Sequence, residues 1–275
     1  MNWLSRLIRY VVKFSAFITF AVLFFIIAYI LARGIPYLKP SLFALEYTTE
    51  NVSLLPAIIT TLIMTVLALL ISAPIGIFTG FYLVEYAKSG NKLVEIIRIT
   101  TETLSGIPSI VYGLFGLLFF VTTLGWGFSI IAGAFTLAIM ILPLIIRSTE
   151  EALLAVPDLL REASYGLGAG KLRTIFRIVL PSAMPGILAG IILAIGRIVG
   201  ETAALIYTAG TVAKIPENLF ASGRTLAIHM YVLSSEGLYT NQAYATAVVL
   251  LIVVIGINAL STTISKKLTK GNIDG

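Results

Sequence analysis

An arginine and a glutamate stand four residues apart in a run that is otherwise apolar or small, Gly196-Arg197-Ile198-Val199-Gly200-Glu201-Thr202. A guanidinium offers a planar fork of N–H donors that matches an oxyanion. Four residues on, a carboxylate shares its helix face and can pair with it. An arginine at the centre of a membrane helix costs about 2.5–3.5 kcal/mol on insertion scales, and pairing lowers that cost without explaining why both charges are there. Two explanations are open: a structural ion pair that locks helices together, or a water-filled path that handles an anion, with Arg197, Glu201 and Thr202 lining it. A second cluster, Ser105-Gly106-Ile107-Pro108-Ser109 followed by Tyr112, interrupts an uncharged stretch. Its glycine and proline free backbone N–H groups, which with the hydroxyls of Ser105, Ser109 and Tyr112 can face a polar path; the alternative is a proline kink used only for packing.

The third cluster is a polar segment between two apolar runs. It reads Glu162-Ala-Ser-Tyr-Gly-Leu-Gly-Ala-Gly-Lys171 and carries Arg161, Arg173 and Arg177 as well. Pro157 and Asp158 are suited to start a short helix over 159–165, with Asp158 as its N-cap, and the glycines after it to end it in a sharp turn. Within the segment, Gly166 to Lys171 looks like a phosphate loop, but Tyr165 and Leu172 stand where the GxxxxGK[ST] pattern needs glycine and a hydroxyl. The chain is therefore expected to bind no ATP and to hold no cofactor of its own. There is no cysteine, and His229 is the single histidine, without an HExxH partner or a carboxylate cluster. No metal site and no catalytic residue are expected.

The elements that must position these residues are set by composition. Of the 275 residues 58% are hydrophobic and 12% charged, and the mean hydropathy is +1.00. A soluble domain carries about a quarter charged residues, so hydrocarbon is the expected solvent. The net charge of +6 sits at the ends of apolar runs, which argues for membrane topology and against nucleic acid. Six spans are expected: about 10–32, an uncleaved signal-anchor; 51–84; two spans within 103–146, divided at Gly125-Trp126-Gly127; 185–209; and 241–265. Arg197 then lies about 18 Å from either end of its span, too far to snorkel. The Gly76/Gly80, Gly186/Gly190 and Gly196/Gly200 pairs read as helix-contact faces. The chain divides into a signal-anchor and first external loop (1–53), a transmembrane core (54–265) containing a coupling loop (147–180), and a tail (266–275).

Basic residues orient the chain. Arg6, Arg9, Lys13, Lys88, Lys92, Arg98, Arg147, Arg161, Lys171, Arg173, Arg177, Lys266, Lys267 and Lys270 fall on one side of the six spans, against Arg33, Lys39, Lys214 and Arg224 on the other. The positive-inside rule then puts both termini and the polar segment in the cytoplasm.

The spacing Glu162-Ala163-Ser164, three residues, Gly168, nine residues, Ile178-x-Leu180-Pro181 resembles the EAA motif of binding-protein-dependent ABC importer permeases, with Ser164 where the motif has alanine. GIPSIVYGL at 106–114 and ILAIGRIVGETAAL at 192–205 resemble the PstA-type permeases of phosphate importers. The resemblance implies an all-α, six-helix permease of the type I (MetI-like) importer core that works by alternating access. It assigns Arg161, Glu162, Ala163, Ser164, Gly168, Leu180 and Pro181 to ATPase coupling, and Arg197 and Glu201 to phosphate passage. It implies a homologous PstC-like permease, a PstB-like ATP-binding dimer that holds ATP and Mg, an extracytoplasmic phosphate-binding protein that the loop around Arg224 to Glu236 can touch, and membrane lipid. A permease for sulfate, molybdate or phosphonate remains open. So does an ATP-independent anion transporter, against which the EAA spacing and the lack of a clear internal repeat argue.

Overall fold

Apolar runs of 24 residues or more have one way to satisfy their backbone in hydrocarbon, which is to coil. The computed structural model describes residues 3–87 and 90–270, and among these there is no strand. Five helices are long and apolar enough to cross a membrane, Leu7–Tyr37, Leu55–Tyr86, Ile130–Leu154, Lys171–Val199 and Thr240–Thr263, and a sharply bent pair makes a sixth. Of the predicted tail, residues 271–275 lie outside the described residues, as does Lys88.

The first helix, α1 (Trp3–Gly34), leaves its apolar face uncovered by the rest of the chain. It leans on the last helix, α11 (Thr240–Lys270), where Gly34 seats against the Tyr244 carbonyl and Val248. α2 (Leu55–Phe81) ends in a π-helical turn, Tyr82–Tyr86. α3 (Lys92–Ser105) and α4 (Ser109–Gly116, continued by a π-helical stretch Leu117–Thr123) meet at 103° across Gly106–Pro108. The Gly-Ile-Pro element is thus the break of a bent span, as its composition predicts.

α5 (Ile130–Leu154) is the axis of the bundle. Lipid tails are as apolar as leucine, so helices associate in a membrane through close approach rather than through the hydrophobic effect. Here Gly76 and Gly80 of α2 press against Ile145 and Thr149 of α5. Gly186 and Gly190 press against Ala152 and Ser148 of the same helix. Two of the three predicted glycine faces are therefore helix contacts. The third is not: a side chain at Gly196 would meet nothing within 4 Å. Met64, Leu137, Met140, Ile141, Ile145, Ile198 and Leu205 fill the core between these helices. Buried hydroxyls such as Thr61, Thr65, Ser72 and Thr136 bond the carbonyl one turn back, so they add no unsatisfied group.

After α5 come α6 (Asp158–Gly166), α7 (Lys171–Thr174), a π-helical turn Ile175–Val179, α8 (Leu180–Val199), α9 (Ala203–Ile206) and α10 (Leu226–Glu236). The fifth span differs from the expectation of 185–209. It begins at Lys171 and ends at Val199, because Gly200 terminates α8. The non-spanning segment before it shrinks to 155–170, since both ends of 147–180 are helical extensions of the flanking spans.

Candidate functional site

The helix break at Gly200 decides how Arg197 and Glu201 stand. Arg197 lies in the last turn of α8, ~26 Å beyond Leu180 rather than midway along a straight span. Glu201 is past the end of the helix, so the shared face predicted from four-residue spacing does not exist. Among the described residues no ion pair joins them. Each charge instead faces a helix end of opposite sign. Arg197 is at the carbonyl end of α8. Glu201, 9% exposed, accepts a hydrogen bond at 3.0 Å from the Ala204 N–H at the start of α9. A helix end contributes about 0.3–1 kcal/mol, and up to ~2 in buried geometry. Arg197 keeps unused binding capacity, and it donates no side-chain hydrogen bond among the described residues.

The GIPSIVYGL and GETAAL segments meet close to it. Gly113 of α4 sits directly on the Ala204 backbone of α9, which presses the GIPSIVYGL and GETAAL segments against each other. Tyr112 is buried, lies within electrostatic reach of the Arg197 charge, and donates its hydroxyl to the Leu104 carbonyl at 2.7 Å, bridging the α3–α4 break. The remaining hydroxyls are not gathered in. Ser105 is exposed and donates to the Glu102 carbonyl at 2.7 Å. Ser109 and Thr202 are half-buried and make no bond to Arg197, Thr202 reaching only the Gly200 carbonyl at 3.5 Å.

The polar segment is a protrusion held by contacts of its own and by contacts to α2. α6 starts one residue earlier than the predicted capping scheme requires: Pro157 is the N-cap and Asp158 the first helical residue. Gly168 turns the chain at φ +79°, a conformation that a side chain strains. Across that turn the Ser164 hydroxyl meets the Thr174 hydroxyl at 2.8 Å, both buried. The serine at this position therefore has a matched partner ten residues on. Glu162 and Ala163 are exposed on α6, while Leu180 and Pro181 are half-buried inside continuous helix at the root of the fifth span. The tip leaves Leu159 (72%), Leu167 (90%) and Leu172 (62%) exposed with Tyr165, a small apolar surface outside the bundle.

Sequence reasoning missed Glu85 and Tyr86, which anchor this protrusion. Arg161 donates from Nε and Nη2 to Glu85 Oε1 at 3.1 and 2.9 Å, and Lys171 lies 4.6 Å from the centre of the Tyr86 ring. The one available signal was that Glu85 is the first charge after the long uncharged run of 51–84.

Residues 72–271 match the family of binding-protein-dependent transport system inner membrane components. The probable ABC transporter permease protein YqgI of Bacillus subtilis is 40% identical over 223 residues, 74% of this chain and 76% of that one. The phosphate transport system permease protein PstA of Haemophilus influenzae is 34% identical over 237 residues, 83% and 82% of the two chains. PstA 1 of Mycobacterium tuberculosis is 39% identical over 207 residues, 74% and 67%. Among solved structures, a chain of a bacterial alginate ABC transporter superposes with a TM-score of 0.70 at 16% identity, over 98% of this chain and 99% of that one. A chain of the inward-facing MetNI methionine ABC transporter gives 0.60 at 21%, over 78% and 93%. At these identities the two structures establish a shared fold.

Proposed function

The chain belongs to the family of binding-protein-dependent transport system inner membrane components, and we propose that it is the PstA-type permease subunit that passes inorganic phosphate through an ATP-driven importer. It is a multi-pass membrane permease and not an enzyme; ATP hydrolysis belongs to a partner. Family membership implies an ATPase and a solute-binding protein as partners. We assign these to a PstB-like dimer and an extracytoplasmic phosphate-binding protein, with a PstC-like second permease beside this chain. Alginate and methionine importers share the fold, so the phosphate assignment rests on the relatives named for phosphate and on Arg197, a free guanidinium suited to an oxyanion.

The observation that carries the coupling role is the protrusion at 158–174, a body with an apolar tip. In this reading both termini and the protrusion are cytoplasmic, on the positive-inside balance of the loops. The tip docks into the ATPase, and Arg161, Glu162, Ala163, Ser164, Gly168, Leu180 and Pro181 form the docking body and its root. Closure of the ATPase dimer moves the protrusion, and the spans open to one side and then the other. Arg197 and Glu201 line the path, with Tyr112 and Thr202 beside them and Ser105 and Ser109 at the bend of the third span. The division into 1–53, 54–265 with the loop 147–180, and 266–275 follows the same scheme. Replacing Leu167 by aspartate tests docking: the ATPase subunit is expected to stop co-purifying while the variant chain stays folded. Undiminished co-purification would refute the docking role.

A further inference from the structure

Two consecutive residues of α2's last turn hold the two arms of the docking body. Glu85 Oε1 receives two bonds from Arg161 on α6, and the Tyr86 ring receives the Lys171 ammonium at the start of α7. The side chains of Arg161 and Glu85 are only 14% and 6% exposed, so solvent screens this pair weakly. Arg161 also donates to the Val156 and Leu153 carbonyls at 2.8 and 3.0 Å and to Asp158 at 3.1 Å. It thus ties together the end of α5, the start of α6 and the end of α2, the last of these 76 residues away in sequence. The Ser164–Thr174 bond links α6 to α7 across the turn at Gly168.

α2 is also anchored at its other end. Thr61 Oγ1 accepts the Leu226 N–H at 2.9 Å, at the start of α10. A helix of 27 residues spans ~40 Å, so α2 connects the docking body at one end of the bundle to α10 at the other. Glu85 and Tyr86 are the last two residues of the π-helical turn that ends α2.

We infer that Glu85 and Tyr86 are positioning residues that fasten the docking body to α2, and that α2 carries its displacement to the far face of the transporter. This rests on the coupling role proposed above. A covalent route through α5 and α8 also exists, so the fastening is tested by its effect on coupling rather than on binding.

The test uses the full assembly in proteoliposomes, with three readings on each variant: ATPase subunit co-purified, ATP hydrolysed, and phosphate taken up per ATP. Glu85→Gln removes the charge with little change of shape. Tyr86 is half exposed, so Tyr86→Leu probes the second fastening without touching the buried pair, and Tyr86→Phe keeps the ring face. The expected result is normal co-purification and hydrolysis in all three. Uptake per ATP falls roughly 3- to 10-fold in Glu85→Gln and Tyr86→Leu and stays at the wild-type level in Tyr86→Phe. Unchanged uptake per ATP in both, or loss of ATPase docking, overturns the inference. A wild-type chain that never docks an ATPase overturns the proposed function as well, whereas docking with unchanged coupling overturns this inference alone.

Discussion

Arg197 and Glu201 attract attention in the sequence because charges are rare in hydrocarbon, and the structure keeps both while dissolving their pairing. Helical spacing places residues four apart on one face only while the helix continues. Here Gly200 ends it, and a glycine in a membrane helix signals close packing as readily as termination. The types of the site residues were therefore legible and their geometry was not. Ser164 shows the converse: its departure from alanine in the EAA pattern looks neutral in sequence, yet its hydroxyl partner Thr174 is fixed by the turn at Gly168. Ser164→Ala leaves Thr174 its Gly170 carbonyl at 3.3 Å, so the expected loss is that of one hydrogen bond, about 0.5–1.5 kcal/mol. Thermal unfolding in detergent should show a small downward shift; an unchanged melting temperature would mean that the bond contributes nothing.

At the scale of elements, helix faces were legible where small residues repeat every four positions, and α5 is gripped from both sides as that spacing implies. The test is a contrast between two glycines. Gly190→Leu drives a side chain into Ser148 and should abolish accumulation of folded chain, read by size-exclusion in detergent. Gly196→Leu points into open space and should leave that profile intact. Equal behaviour of the two would contradict the packing scheme. The loop between the last two spans contains α10, which carries the buried His229. Burial and then the neighbouring Arg224 charge push the His229 pKa down to about 3, with the Val52 backbone opposing. Between pH 6.5 and 3 only the unfolded chain takes up this proton, so stability falls as pH drops, by about 1.4 kcal/mol per pH unit. Melting temperature should decline from pH 6.5 to 5 in the wild type and less steeply in His229→Gln; parallel declines would exclude this histidine as the cause.

At the scale of the whole molecule, the six-span pattern was readable because uncharged runs longer than a bilayer leave few alternatives. The exact ends were not, because helices continue into the polar segment on both sides of 155–170. The fastening of that segment to α2 was hidden for a plain reason: Glu85 and Arg161 meet only in the folded bundle. Orientation can be measured directly, since the chain has no cysteine. Single cysteines at Leu167 (90% exposed) and Leu238 (81% exposed) should react with a membrane-impermeant maleimide from opposite sides, Leu167→Cys only after the cytoplasmic face is opened. Labelling of Leu167→Cys from outside in sealed cells would contradict the topology.

The most direct test of the central claim is ATP-dependent uptake of radiolabelled phosphate into proteoliposomes holding the complete assembly, wild type beside Arg197→Gln. The account predicts uptake by the wild type. It predicts a variant that assembles and hydrolyses ATP but moves little phosphate. Equal uptake by both would remove Arg197 from the path, and a wild type that carries another oxyanion but no phosphate would contradict the substrate assignment.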